Sequence, residues 1–118
     1  MSGDCDSLSL LAASILIAGG FDVILLLYEE QRHMNIGVHI PDTPKYARSG
    51  PYYVKFRGKK YWIAECTGGW DWRLGECPSD LLHASVAIIP LDSLIISGYL
   101  ISAKLFEIPP SVSISISP

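Results

Sequence analysis

Charge is scarce in this 118-residue chain: Asp, Glu, Lys and Arg make up 18% of it, with a net charge of −3. The few cations gather only loosely at Lys45–Arg48 and Lys55–Lys60, so there is no basic footprint and no nucleic-acid partner is expected. Cysteine is equally sparse, and the three present cannot pair completely. A complete disulfide framework is thereby excluded, and the odd count points to a reducing, cytoplasmic setting. The opening MSGDCDS has no positive n-region, so the apolar run from Leu8 to Ala18 does not read as a signal peptide. That run also falls short of the ~20 apolar residues a membrane helix needs. The later run ASVAIIPLDSLIISGYLISAKLF is broken by Pro90, Asp92, Gly98 and Lys104. It reads as buried strands, and no membrane insertion is expected. No internal repeat, phosphate-binding glycine loop, Ser-His-Asp arrangement or closely spaced zinc-ligand pair is visible, so no metal or other cofactor is expected.

Apolar side chains are abundant, at 49% of the chain, which is enough for one domain with its own core. That domain is expected over residues 1–108, with 109–118 as a tail or an edge strand. GDCDSLSLLAASILIAGG, residues 3–20, predicts a helix. Asp4 or Asp6 would cap it, Leu8, Leu11, Ala12, Ile15 and Leu16 would form its apolar face, and Gly19-Gly20 would end it. FDVILLLY follows as a buried strand, and HMNIGVHI alternates. Met34, Ile36, Val38 and Ile40 share one face of it, while His33, Asn35, Gly37 and His39 share the other, polar face. YYVKF and YWIAECT form a hairpin around RGKK. SDLLHA reads as one helical turn, and residues 86–89 and 94–107 as two more strands. The fold class is therefore α+β, with one N-terminal helix packed on an antiparallel sheet.

Three positions in this scheme can be joined by chemistry. Cys5 stands at a helix N-terminus, where unsatisfied backbone N–H groups and the helix dipole favour a thiolate. His33 opens a strand on its polar face, and Glu65 nearly ends another. A nucleophile, a base and an acidic orienter are what acyl transfer by cysteine requires. His33 and Glu65 meet only if their strands are antiparallel neighbours. The required spatial order is thus 21–28, 33–40, 60–67, 52–57, with the 41–51 loop crossing over. His39 is a rival base but has no acidic residue placed to orient it. Cys66 points away from Glu65, towards the core. Trp70 and Trp72, in the glycine-rich loop after Glu65, either wall a substrate groove or cover the sheet edge, and Asp4 adjoins the thiol as a further candidate for substrate contact.

GDCDSLSLLAASILIAGGFDV, HMNIGV and YYVKFRGKKYWIAECTGGWDWRLGECP together resemble the transglutaminase-like branch of the papain-like cysteine enzymes, small archaeal and bacterial members included. The resemblance spans residues 3–78 and rests on Gly3-Asp4-Cys5, His33 and Glu65-Cys66-Thr67. It implies a papain-like core and a Cys5-His33-Glu65 triad acting on amide bonds of a protein or peptide substrate. The resulting thioester would pass to water or to an amine. Two departures stand out: Glu65 replaces the more frequent Asp, and only Met1 to Asp4 stand before the cysteine helix, where relatives have a further segment. The second implies a site that is open, completed by another chain, or silent. The alternative function is accordingly a catalytically silent protein-interaction module, with a second copy or a partner chain covering the apolar C-terminal third.

Overall fold

The computed structural model describes residues 3–67, 71–91, 111–112 and 114–116. Gly3–Ala18 forms α1. Asp22–Tyr28 (β1), His33–His39 (β2), Tyr52–Phe56 (β3), Lys59–Ala64 (β4) and Val86–Pro90 (β5) form an antiparallel sheet. Two-residue strands at Ser111–Val112 (β6) and Ser115–Ile116 (β7) extend it, giving the order β6-β5-β1-β2-β4-β3-β7. The architecture is α+β, and β1-β2-β4-β3 is the order that a meeting of His33 with Glu65 demands. SDLLHA contributes a 3-10 turn at Ser79–Leu81. The strand expected at 94–107, and with it most of the apolar C-terminal third, lies outside the described residues. Among the described residues, no helix is long and apolar enough to cross a membrane.

The sheet curls. β6 pairs with the β5 edge and β7 with the β3 edge. Val112 and Ser115 are three residues apart, a reach of about 11 Å for extended chain. The two edges of the five longer strands therefore approach each other, and the sheet gains an inside and an outside. Val23, Leu25 and Leu27 of β1 face outward and pack with Met34, Ile36, Val38 and Ile89 beneath α1. Ile24, Leu26 and Tyr28 face inward against Val54, Tyr61, Ile63 and Ile88. Burial on both faces is why DVILLLY shows no alternation. Each such side chain contributes roughly 1.5–3 kcal/mol on leaving water.

Of the expected apolar face of α1, Ala12 and Leu16 pack against the core, but Leu8, Leu11 and Ile15 do not. Ser9 and Ala13 are fully buried against the sheet, while Leu8, Leu11 and Ile15 are 38%, 57% and 62% exposed. Small side chains let the helix approach β2 closely, and the Ser9 hydroxyl donates to the Met34 carbonyl at 3.0 Å. With apolar residues nearly all round, spacing alone does not choose the buried side. The helix ends as expected. Phe21 N–H donates to the Leu16 carbonyl and Gly20 N–H to that of Ile17, with Gly20 at φ +93°. This is a glycine-closed Schellman end.

Glycine is also required at position 37, on the inward face of β2. A Cβ there would lie 2.9 Å from Tyr61 Cβ and 3.0 Å from Ile24 Cγ1, both on side chains fixed in the interior. Gly37→Ala is expected to cost about 1–3 kcal/mol, measured as the shift in urea-unfolding midpoint. An unchanged midpoint would mean that the β1–β2–β4 interior is looser than these distances require.

Candidate active site

Strand register assembles the site. β2 pairs with β4 through Ile36↔Ala64. One residue beyond that pair, the same register sets Asn35 opposite Glu65, and two further on it sets His33 opposite Thr67. On its other side His33 pairs with Tyr28 across the β1–β2 hairpin. Alternation turns Tyr28, His33, Asn35, Glu65 and Thr67 to a single face, at the end of the curled sheet. The polar face expected of β2 is therefore the inside of the curl, where Asn35 is fully buried.

His33 Nε2 lies 2.9 Å from Glu65 Oε1 and 3.0 Å from Oε2. The Glu65 side chain is fully buried, and that of His33 is 20% exposed. Asn35 Nδ2 donates to Oε1 at 3.1 Å. Thr67 donates to Oε2 through its backbone N–H at 3.2 Å and through its hydroxyl. Burial alone would push the Glu65 carboxyl up. The donors from His33, Thr67 and Asn35 outweigh it and hold the group below the ordinary carboxylate value. The hydrogen bond to Glu65 raises His33 above the ordinary imidazole value against the effect of burial, and the charges of Glu65 and Asp80 add to the rise. An ionised carboxylate only accepts, so the neutral imidazole carries its proton on Nε2 and keeps a lone pair on Nδ1. This is the form of a general base.

Cys5 lies in the first turn of α1, and its side chain lies outside the described residues. Ser9 sits on Met34, the neighbour of His33, whereas Ala12 and Leu16 share a groove with Ile36 further along β2. Ser9 and Ala13 thus seat α1 on the outward face of β2 with Met34, Ile36 and Val38, the face opposite to the one that carries His33 and Glu65. The other two thiols are tied to the core. Burial pushes Cys66 up to about 11 and Cys77 up to about 12. Cys66 packs on the helix side of the sheet, away from Glu65, as expected.

His39 is engaged elsewhere, with its Nδ1 donating to the Lys60 carbonyl at 3.0 Å and its ring packed 5.8 Å from that of Tyr61. Trp72 is half-buried in the loop that follows Glu65. Trp70 and the side chain of Asp4 lie outside the described residues. Among the described residues, no group of three or more His, Cys, Asp or Glu side chains is placed to hold a metal ion. A groove of about 370 Å³ runs between the exposed side of α1, at Leu8, Leu11 and Ile15, and the end of β4 at Ala64, Glu65 and Cys66.

Sequence reasoning missed Tyr28 and Asn35, which read as a core aromatic and a strand-face polar residue. The signal that finds them is the register itself, since any pairing that joins His33 to Glu65 draws Asn35 to the carboxylate. No family model, curated protein or solved structure matches this chain.

Proposed function

We propose that this chain is a thiol-dependent amide hydrolase or acyl transferase of transglutaminase-like, papain-like type, with Cys5 as nucleophile, His33 as base and Glu65 as orienter. The observation that carries this reading is the buried Glu65 carboxylate on His33 Nε2; the approach of Cys5 to that pair is part of the proposal. Nδ1 of His33 takes the thiol proton, and the Cys5 sulfur attacks the carbonyl carbon. The carbon–nitrogen bond then breaks as the imidazolium returns its proton to the departing amine. Water or a second amine attacks the thioester carbon and releases the sulfur. The backbone N–H of Cys5 is suited to bind the developing oxyanion. Trp70, Trp72 and Asp4 are the candidates for contact with a protein or peptide substrate, and a reducing, cytoplasmic setting keeps the thiol free.

Iodoacetamide at pH 6 tests the reading. With pKa values near 11 and 12, Cys66 and Cys77 hold at most about 10⁻⁵ of their thiol as thiolate at that pH. Cys5 is expected to be alkylated at least about tenfold faster than either. That lead is expected to disappear in His33→Ala. Glutaminyl and peptide activity probes should then label the wild type and not Cys5→Ala. Equal, slow alkylation of all three cysteines would sink the enzymatic reading. It would favour the silent interaction module, for which the exposed Leu8, Leu11 and Ile15 are the supporting observation.

A further inference from the structure

Tyr28 and Asn35 are both completely buried, on adjacent strands and facing the inside of the sheet. Buried polar groups stabilise a fold poorly unless every partner is in place, and two apolar residues would pack the same space at less desolvation cost. Here the partners are in place, and they point in one direction. The Tyr28 hydroxyl donates to Asn35 Oδ1 at 3.0 Å. The amide then turns its Nδ2 to Glu65 Oε1 at 3.1 Å, and that same oxygen accepts from His33 Nε2 at 2.9 Å.

The direction is set by what each group is able to do. A carboxylate accepts only, so Asn35 must offer Glu65 its NH₂ and is left with an oxygen facing Tyr28. A phenol gives or takes a hydrogen bond, but against that oxygen it must give. Burial pushes the phenol's ionisation well above its ordinary value, so the proton it needs is retained. Without Tyr28 the buried amide oxygen loses its donor, and only Glu65 is left to hold the Asn35 side chain in place. On the far side Thr67 holds the second carboxylate oxygen. Glu65 is thus gripped at both oxygens, with His33 Nε2 astride them.

We infer that Asn35, held in orientation by Tyr28, is the positioning residue that fixes the Glu65 carboxylate on His33. This rests on the catalytic reading of His33 and Glu65 and adds a second layer to it. Neither Asn35 nor Tyr28 needs to touch substrate. Their action is through the carboxylate, and its effect is a His33 imidazole held in place and easily protonated.

The test reads His33 directly. The ¹⁵N-labelled chain is titrated by NMR as wild type, Tyr28→Phe, Asn35→Ala and Ile88→Val, with the thermal midpoint and the pH 6 iodoacetamide rate at Cys5 measured in parallel. Ile88 is a buried interior neighbour with no polar atom, so its variant weakens the fold and leaves the relay intact. Tyr28→Phe and Asn35→Ala are expected to lower the His33 titration midpoint, and Asn35→Ala to slow Cys5 alkylation about tenfold, the factor one charge-assisted hydrogen bond carries. Ile88→Val should lower the thermal midpoint and leave the His33 midpoint where it is. If Asn35→Ala does not fold, Tyr28→Phe, which removes one oxygen and keeps the ring, decides. A His33 midpoint at the wild-type value in the relay variants, or one that moves equally in Ile88→Val, overturns the inference, and the catalytic reading survives if Cys5 still alkylates fastest in the wild type. A His33 midpoint that drops in the relay variants alone supports the inference. If Cys5 is then no faster than Cys66 in the wild type, it is the catalytic reading that fails.

Discussion

Glu65→Gln is expected to lower thiol-dependent turnover by about 10²–10⁴-fold and to lower the pKa of His33. The substitution keeps the shape of the side chain and removes its charge. In the wild type the hydrogen bond to that carboxylate is what chiefly raises His33, and its charge adds to the rise. In the proposed reaction, the imidazolium formed when Cys5 loses its proton would have no counter-charge in the variant. Packing suffers as well, because the carboxylate accepts from His33, Asn35 and Thr67, and a carboxamide must turn an NH₂ group towards some of these donors. One buried group left unpaired costs about 1–3 kcal/mol.

The pH dependence carries the signature. His33 is raised from 6.5, so its contribution to stability is complete below 6.5 and fades as pH rises through the folded value. Glu65 is lowered from 4.5, so its contribution is complete above 4.5 and fades as pH falls through the folded value. The pair therefore stabilises the fold most between 4.5 and 6.5. Denaturant midpoints for wild type and Glu65→Gln should differ most in that window and converge towards either side. A gap independent of pH would show that His33 and Glu65 are not ionically coupled.

The strand order was legible because chemistry restricted it. A simple meander would have made the strands of His33 and Glu65 parallel and kept the two residues at opposite ends. Requiring them to meet placed β4 beside β2, and this is the arrangement found. The end of α1 was legible for a local reason, since Gly19-Gly20 stops a helix whatever it packs against. The curl was not, because nothing in the alternation of HMNIGVHI distinguishes a face open to water from one enclosed by a bent sheet. That single ambiguity hid Asn35 as a partner of Glu65. The exposure of Leu8, Leu11 and Ile15 was missed for a related reason. Leu8, Leu11 and Ile15 have the larger apolar area, but close approach to β2 favours the smaller Ser9 and Ala13, and this depends on a neighbour that α1's own spacing does not reveal.

The crossover between β2 and β3, on which that strand order depends, is held by one buried carboxylate, and Glu76→Gln is expected to weaken the fold by about 2–4 kcal/mol. The Glu76 side chain is only 4% exposed. Its Oε2 accepts from the backbone N–H and the Nε of Arg48, both at 2.8 Å. Its Oε1 accepts from Arg48 Nη2 at 2.8 Å and from the backbone N–H of Arg73 at 3.0 Å. Arg73 Nη1 reaches back to the Tyr46 carbonyl at 3.1 Å, so the 41–51 loop and the 71–76 loop are tied from both sides. A carboxamide cannot accept all four donors. Because the Arg48 side chain is 55% exposed, water relieves part of the loss and keeps it below the upper end for a broken buried pair. The hydrogen bonds from Arg48, against burial, bring the Glu76 carboxyl from 4.5 down to about 2. A lowered carboxyl stabilises the folded state above its unfolded value and loses that effect as pH falls. The wild-type advantage over Glu76→Gln should therefore be full above pH 4.5 and shrink towards pH 2, a lower window than the one assigned to His33 and Glu65. Urea midpoints at pH 3, 5 and 7 separate the two. At pH 6 the His33 titration of folded Glu76→Gln should match the wild type, since Glu76 acts on the loop and not on the imidazole. A His33 midpoint that moved in this variant would show that the crossover, and not strand register alone, holds the histidine on Glu65.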